Sequence, residues 1–412
     1  MNNSEKIIII GAGIAGTTAA KSLRDEGFQG ELTLIDANES FPFDRPPLSK
    51  KYLSDDLEKD ELMLEEETFY QEKKIKLLLN RNVINFDLKK KSVMDQKGES
   101  HYFDKLLIAT GSKLKKLDYI KGFNLKGIHY LKTLLHANQL KESIKSAHKF
   151  VIIGGGFIGL EVAASLTEMG KKVTIIESNK YPLTRLFGEE IGKHIKKIHS
   201  DKGIELLTNR RVDEFIGDTN IKYVLTNKGE KIYCDEVLVS VGVLPNTDVF
   251  EDTLESDNGI LVNEYCETSQ PDVFAVGDCA KWPYGIDKEM IRVEHWDHAK
   301  NQGRTAALNM LNPKSSNYDT IPYFWSDQLH LYIQYLGHHS SWDNKILRGD
   351  IKSNQFTIFY LLKDKVVAAL IVNDPKNVLP ARKLISKGIK INAEELSNQD
   401  IKLKKIIKNK VL

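Results

Sequence analysis

Two glycine clusters of identical spacing, each set between a β-branched run and a stretch of helix formers, constrain this chain more than any other feature. The first, Gly11-Ala-Gly13-Ile-Ala-Gly16, follows Lys6-Ile-Ile-Ile-Ile10; the second, Gly154-Gly-Gly156-Phe-Ile-Gly159, follows Phe150-Val-Ile-Ile153. In each, a short buried strand turns abruptly into a helix. Gly11 and Gly154 permit the tight turn, Gly13 and Gly156 let the backbone approach a pyrophosphate, and Gly16 and Gly159 allow close helix packing. The N-terminus of each helix favours the phosphate charge. The predicted helices run from Ala15 to Leu23 and from Glu161 to Met169. Second strands then end in acid, Glu31-Leu-Thr-Leu-Ile-Asp36 and Lys172-Val-Thr-Ile-Ile-Glu177, which places Asp36 and Glu177 to hold ribose hydroxyls. A glycine pattern that merely eases helix packing is the plain alternative for each copy. The recurrence of strand, turn, helix and acid argues for two bound dinucleotides.

Further apolar runs closed by glycine follow: Lys105-Leu-Leu-Ile-Ala-Thr-Gly111, Glu236-Val-Leu-Val-Ser-Val-Gly242 and Val273-Phe-Ala-Val-Gly277-Asp278. Each is expected to be a buried strand delivering its carboxyl end to a ligand crevice, so that the chain keeps returning to one sheet. From Tyr323 onward the pattern changes to alternating aromatic strands, 331–336, 356–362 and 366–372, and then to a lysine-rich helical tail, which together predict an α+β domain. With 412 residues, several domains are expected.

Lys plus Arg (59) nearly balances Asp plus Glu (57), which excludes a global electrostatic reason to bind nucleic acid. No apolar run approaches the ~18 residues needed to cross a bilayer, and the opening residues lack a signal peptide pattern, so a cytoplasmic protein is expected. The three cysteines, Cys234, Cys266 and Cys279, form no close pair and read as buried thiols. His295 and His298, three apart with no third ligand nearby, do not make a metal site. A carboxylate at Glu177 repels the extra phosphate of NADP and favours NADH, although Arg185 is placed where it could reach a phosphate.

Taken with Phe43-Asp-Arg-Pro-Pro-Leu-Ser-Lys50, Ala109-Thr-Gly111, Gly242 with Pro245-Asn246, Val276-Gly-Asp278, Glu294-His-Trp296 and Phe324-Trp-Ser-Asp-Gln328, these features resemble the FAD-dependent pyridine nucleotide oxidoreductases, in particular the ferredoxin and rubredoxin reductases of bacterial oxygenase systems. The resemblance spans nearly the whole chain. It implies two Rossmann-like dinucleotide-binding domains of the glutathione reductase type and a C-terminal α+β domain. The expected FAD domain is split between residues 1–112 and 244–322, around an NADH domain at 113–243; a domain at 323–412 shapes the acceptor face.

The resemblance assigns FAD to Gly11, Gly13, Ala15, Gly16, Asp36, Arg45, Lys50, Ala109, Thr110, Gly111, Gly277, Asp278, Glu294, His295 and Trp296. NADH falls to Gly154, Gly156, Phe157, Ile158, Gly159, Glu161, Glu177, Arg185 and Gly242. It pairs Lys50 with Glu161 near flavin N5, with a structural salt bridge as the alternative, and puts Asp278 on the ribityl chain. A helix starting at Cys279 would point its dipole at the FAD phosphates. Trp296 and Trp325 are expected near the flavin, with interdomain packing as the alternative reading.

The implied reaction passes a hydride from NADH to FAD and then single electrons to a [2Fe–2S] ferredoxin docked on the C-terminal side. The stretch from Phe41 to Lys50, where the disulfide branch of the superfamily places its redox cysteines, has none. Electrons must therefore leave the flavin for an external acceptor. A rubredoxin or monodehydroascorbate radical is an alternative acceptor, and a redox-gated interaction protein resembling apoptosis-inducing factor is an alternative of another class. The tail lysines Lys402, Lys404, Lys405, Lys408 and Lys410 read as a solvated face or as an attraction for an acidic ferredoxin. Either a monomer or a homodimer is compatible with the sequence.

Overall fold

The computed structural model describes residues 4–285 and 287–411, and the side chains of Lys410 and Val411 lie outside what is described. The chain forms two compact units, each assembled from separated segments.

The first unit comprises residues 4–115, 132–137 and 242–320. Its centre is a parallel sheet in the order Val273–Ala275, Lys105–Ile108, Lys6–Ile10, Glu31–Ile35, Ile75–Leu78. The isoleucines of Lys6–Ile10 are buried on both faces, as an interior parallel strand requires. The helix Ile14–Asp25 lies against the helix Trp296–Leu311 at Gly303, where a Cβ would stand 2.3 Å from the Ala15 carbonyl oxygen. An antiparallel meander, Val83–Asp87, Ser92–Asp95 and Ser100–Tyr102, is inserted in sequence between the sheet strands Ile75–Leu78 and Lys105–Ile108. The returning segment is tied in by Ser112–Leu114 pairing with Val243–Pro245.

The second unit comprises residues 116–131, 138–241 and 321–411. Its parallel sheet runs Glu205–Thr208, Lys172–Glu177, Lys149–Ile153, Glu236–Val239, Ile128–His129, and an antiparallel meander, Val212–Gly217, Ile221–Thr226 and Lys231–Tyr233, is again inserted in sequence before the returning strand, Glu236–Val239. The C-terminal part is an antiparallel sheet ordered Tyr323–Gln328, Leu331–Gly337, Lys365–Val372, Gln355–Leu362, Asn344–Asp350. The helices Val378–Lys387, Ala393–Ser397 and Leu403–Val411 bury Leu384, Leu396, Leu403, Ile406 and Ile407 in the same core as Phe359 and Ile371.

Two expectations are corrected. The apolar runs do not return to one sheet: Glu236–Val239 pairs in parallel with Phe150–Ile153 of the second unit, while Lys105–Ile108 and Val273–Ala275 join the first. Nor does a helix begin at Cys279. Gly277–Cys279 is a single 3₁₀ turn, and Ala280–Tyr284 continues as a strand between Ile260–Leu261 and Glu289–Ile291. Pro283 suits that extended backbone and would not continue a helix. Among the described residues no helix is long and apolar enough to cross a membrane.

Candidate functional site

The two glycine turns have the same backbone. Gly11 and Gly154 adopt φ of +102° and +106°, and a Cβ would lie 2.2 Å from the Ala109 oxygen or 2.3 Å from that of Ser240. Gly16 and Gly159 sit so close beneath that a Cβ would stand 1.9 and 2.1 Å from the Gly11 and Gly154 carbonyl oxygens. Gly13 and Gly156 cap the two helices. Only glycine satisfies Gly11, Gly16, Gly154 and Gly159; Gly13 and Gly156 leave room for an approaching ligand.

The acid after the second strand closes each turn. Asp36 Oδ2 accepts from Ala12 N at 2.5 Å, and its Oδ1 accepts from the backbone and side-chain nitrogens of Asn38 at 2.7 and 2.6 Å. Glu177 repeats the pattern: Oε2 accepts from Gly155 N at 2.7 Å, and Oε1 from the two nitrogens of Asn179 at 2.7 and 2.6 Å. Both carboxylates are buried. The duplication extends to residues that sequence reading passed over. Asn80-Arg81-Asn-Val83 and Asn209-Arg210-Arg-Val212 lead into the two meanders, with Arg81 N and Arg210 N donating to the Asp36 and Glu177 carbonyls. The Arg81 guanidinium is held by Asp95 and Glu99, and that of Arg210 by Glu230. Asp95, Glu99 and His101 stand close enough to hold an ion, but Arg81 already occupies the acids.

In the first unit the turn opens onto a cavity of about 420 Å³. Of the expected residues, Gly11, Gly13, Ala15, Asp36, Arg45, Ala109, Thr110, Gly111, Gly277 and Asp278 line it. Lys50, Gly16, Glu294, His295 and Trp296 are not in the lining. Glu294 is exposed and ion-paired with Arg292 at 2.8 Å; His295 caps the Trp296–Leu311 helix. The Trp296 indole donates to Asp44 Oδ1 at 2.6 Å, with Lys300 over its ring.

Lys132 and Ser112 were missed. Lys132 Nζ donates to Ser112 Oγ at 2.8 Å, and Ser112 Oγ donates to Asp278 Oδ2 at 2.8 Å. Burial and the Arg45 cation push the Lys132 ammonium down to about 8, against the pull of Asp278 and Glu294. Lys132 comes from a short excursion of the chain with no motif of its own. Ser112, by contrast, directly follows Ala109-Thr-Gly111 and was readable there. Two cations, a helix N-terminus, a buried carboxylate and closely approachable backbone fit the phosphates and ribose of a dinucleotide such as FAD.

In the second unit Gly156, Phe157, Ile158, Gly159 and Glu161 occupy the turn and the start of the Phe157–Glu168 helix, where a Cβ at Gly156 would meet only open space. Glu161 is buried and accepts from Ser326 Oγ at 2.5 Å. Arg185 is exposed on the short helix Thr184–Phe187. Trp325 stacks on Tyr323, with ring centroids 6.1 Å apart. Gly242, expected with this set, falls in the first unit, where its carbonyl accepts from Lys115 N. Lys50 and Glu161 fall in different units.

Two parallel sheets, each closed by a glycine turn and a ribose-type acid, define an oxidoreductase architecture for two nucleotides. The chain belongs to the pyridine nucleotide-disulphide oxidoreductase family, whose model matches residues 5–303, and a reductase C-terminal model matches residues 323–407. That family uses FAD and NAD(H). The chain is 34% identical over 400 residues to rhodocoxin reductase of Rhodococcus erythropolis, covering 97% of this chain and 93% of that one. It is 31% identical over 402 residues to the ferredoxin–NAD(+) reductase component of the p-cumate 2,3-dioxygenase system of Pseudomonas putida, covering 97% and 98%. Among solved structures, the covalent putidaredoxin reductase–putidaredoxin complex matches with a TM-score of 0.96 at 29% identity, over 100% of both chains.

Proposed function

We propose that this chain is an NADH-dependent ferredoxin reductase in which bound FAD accepts a hydride from NADH and yields electrons singly to a [2Fe–2S] ferredoxin serving an oxygenase. The observation that carries this reading is the state of the sulfur. Cys234, Cys266 and Cys279 are all buried and unpaired as disulfides, and burial pushes the Cys234 thiol up to about 12 and those of Cys266 and Cys279 upward as well. A thiol that stays protonated is a poor electron relay. The family's disulfide chemistry has no seat here, which leaves an acceptor outside the chain.

In this reading the first unit's residues orient FAD: the Gly11 turn, Arg45 and Lys132 hold the phosphates, Asp36 the ribose and Asp278 the ribityl chain. The Gly154 turn and Glu177 hold NADH, Glu161 faces its nicotinamide, Lys50 in the first unit serves the flavin, and Trp325 lies on the acceptor side. The four stretches 1–112, 113–243, 244–322 and 323–412 are the functional divisions. The exposed Lys402, Lys404, Lys405 and Lys408 supply positive charge on the C-terminal domain for an acidic ferredoxin. The protein works in the cytoplasm, as a monomer or homodimer.

The test is anaerobic. Flavin bleaching is followed with NADH and with NADPH, and then ferredoxin, rubredoxin or monodehydroascorbate radical is added. Fast bleaching by NADH and reoxidation by ferredoxin are expected. Bleaching with no fast reoxidation by any of the three would sink the reductase reading and favour a redox-gated interaction protein.

A further inference from the structure

The strand Tyr323–Gln328 alternates: Phe324, Ser326 and Gln328 share one face, and Ser326 and Gln328 are fully buried. Across from them Phe157 and Glu161 stand one turn apart on the Phe157–Glu168 helix. Two strand residues advance about 6.6 Å and four helical residues about 6.0 Å, so the spacings match. Phe324 accordingly meets Phe157, with ring centroids 4.8 Å apart, and Ser326 Oγ meets Glu161 Oε1 at 2.5 Å.

The direction of each hydrogen bond follows from what the groups can do. A carboxylate only accepts, so the single Ser326 proton goes to Glu161. The other neighbour of Ser326 Oγ must then donate, and Gln328 Nε2 does so at 3.0 Å. All of this is dry, where a hydroxyl donor to a carboxylate restricts both its rotamer and its direction.

We infer that Ser326, itself oriented by Gln328, is the positioning residue that holds the Glu161 carboxylate in one rotamer beside the nicotinamide, making the C-terminal strand a working part of the NADH site. This rests on the proposed reading in which Glu161 faces the nicotinamide. A glutamate has three side-chain torsions to immobilise, and a preset carboxylate avoids ordering them during hydride transfer.

The experiment uses FAD-loaded wild type, Ser326→Ala, Ser326→Thr, Glu161→Gln and the double variant Glu161→Gln/Ser326→Ala. The rate of anaerobic flavin reduction at saturating NADH is measured beside the NAD⁺ dissociation constant by calorimetry, the FAD content and the melting temperature. Ser326→Ala is expected to slow reduction about tenfold while NAD⁺ affinity stays within about twofold. Ser326→Thr, which keeps the donor, restores most of the rate. In the Glu161→Gln background the alanine change costs little further, because the carboxylate that Ser326 holds in place is already gone.

Full speed in Ser326→Ala with a slowed Glu161→Gln would overturn the inference and leave the NADH reading intact. So would additive losses in the double variant, or an alanine variant that merely loses NAD⁺ affinity and melting temperature together. A Glu161→Gln protein as fast as wild type, or a wild type that NADH does not reduce, would overturn the underlying reading and the inference with it.

Discussion

The Trp296 indole nitrogen donates to the Asp44 carboxylate at 2.6 Å, joining residues 252 positions apart in sequence. Asp44 lies in the Phe43–Lys50 stretch, and Trp296 opens a long helix. Burial raises the Asp44 carboxyl above its usual range, and the indole, the Arg45 backbone N–H and the Lys300 and Lys50 charges pull it back. A carboxyl raised in the folded state binds its proton more tightly there than when unfolded. Its contribution is therefore fully present below about pH 3.8 and is lost as pH rises through the shifted value. Trp296→Phe removes the donor and should cost about 1 kcal/mol at pH 7, discounted for partial exposure. Urea melts should show that deficit shrinking as pH falls and the Asp44 carboxylate gains its proton; an equal deficit at pH 7 and at pH 4 would contradict this account.

Gly11→Ala and Gly154→Ala form a matched pair, because each adds a methyl group against a carbonyl oxygen at positive φ. Gly11→Ala should emerge largely without FAD. Gly154→Ala should keep its yellow colour yet lose most reduction by NADH. Visible absorbance of the purified proteins and stopped-flow reduction decide the matter, and the reverse outcome would show the two fingerprints assigned the wrong way round.

Glu177→Arg should weaken NADH use by tenfold or more, at about 1.4 kcal/mol per decade, since it removes the ribose acceptor and strands the N–H groups of Gly155 and Asn179. NADPH should gain relative to NADH in kcat/KM, with FAD content unchanged. Loss of FAD in this variant would contradict the assignment.

Arg348, on the strand Asn344–Asp350, buries its guanidinium under the last helices and donates to the carbonyls of Leu396 at 3.0 Å, Asn398 at 2.6 Å and Ile401 at 2.8 Å. Arg348→Ala leaves those acceptors unmet and should cost about 3 kcal/mol. Hydrogen exchange should accelerate across residues 393–409 while FAD content holds. Unchanged protection there would show that apolar packing alone seats the C-terminus.

The parts of the fold legible in sequence were those where backbone sterics leave little choice. Gly11 and Gly154 at positive φ, after strands of β-branched residues, admit one local structure, and Asp36 and Glu177 follow at a set distance. The meanders were not legible, because strands such as Val83–Asp87 are half exposed and lack clean alternation. Their one signal, Asn-Arg-x-Val repeated at Asn80 and Asn209, carried no meaning until the paired turns were seen. Lys132 reaches the cavity through tertiary folding alone. The helix expected at Cys279 gave way to the extended Trp282-Pro283-Tyr284. Ser326 was visible as part of a motif, but its partner on another element was not.

The first unit is closed by a strand that arrives late. Lys105–Ile108 needs Val273–Ala275 as its neighbour, and the intervening 164 residues include the whole Gly154 sheet. On a ribosome adding about 5–20 residues each second, those early strands wait roughly ten to thirty seconds with an open edge. The Gly154 sheet therefore has all its strands before the first sheet does. Gly277 and Asp278 emerge later still, so under the proposed assignment flavin capture follows assembly of the Gly154 sheet, and a nascent chain halted near residue 245 should remain colourless.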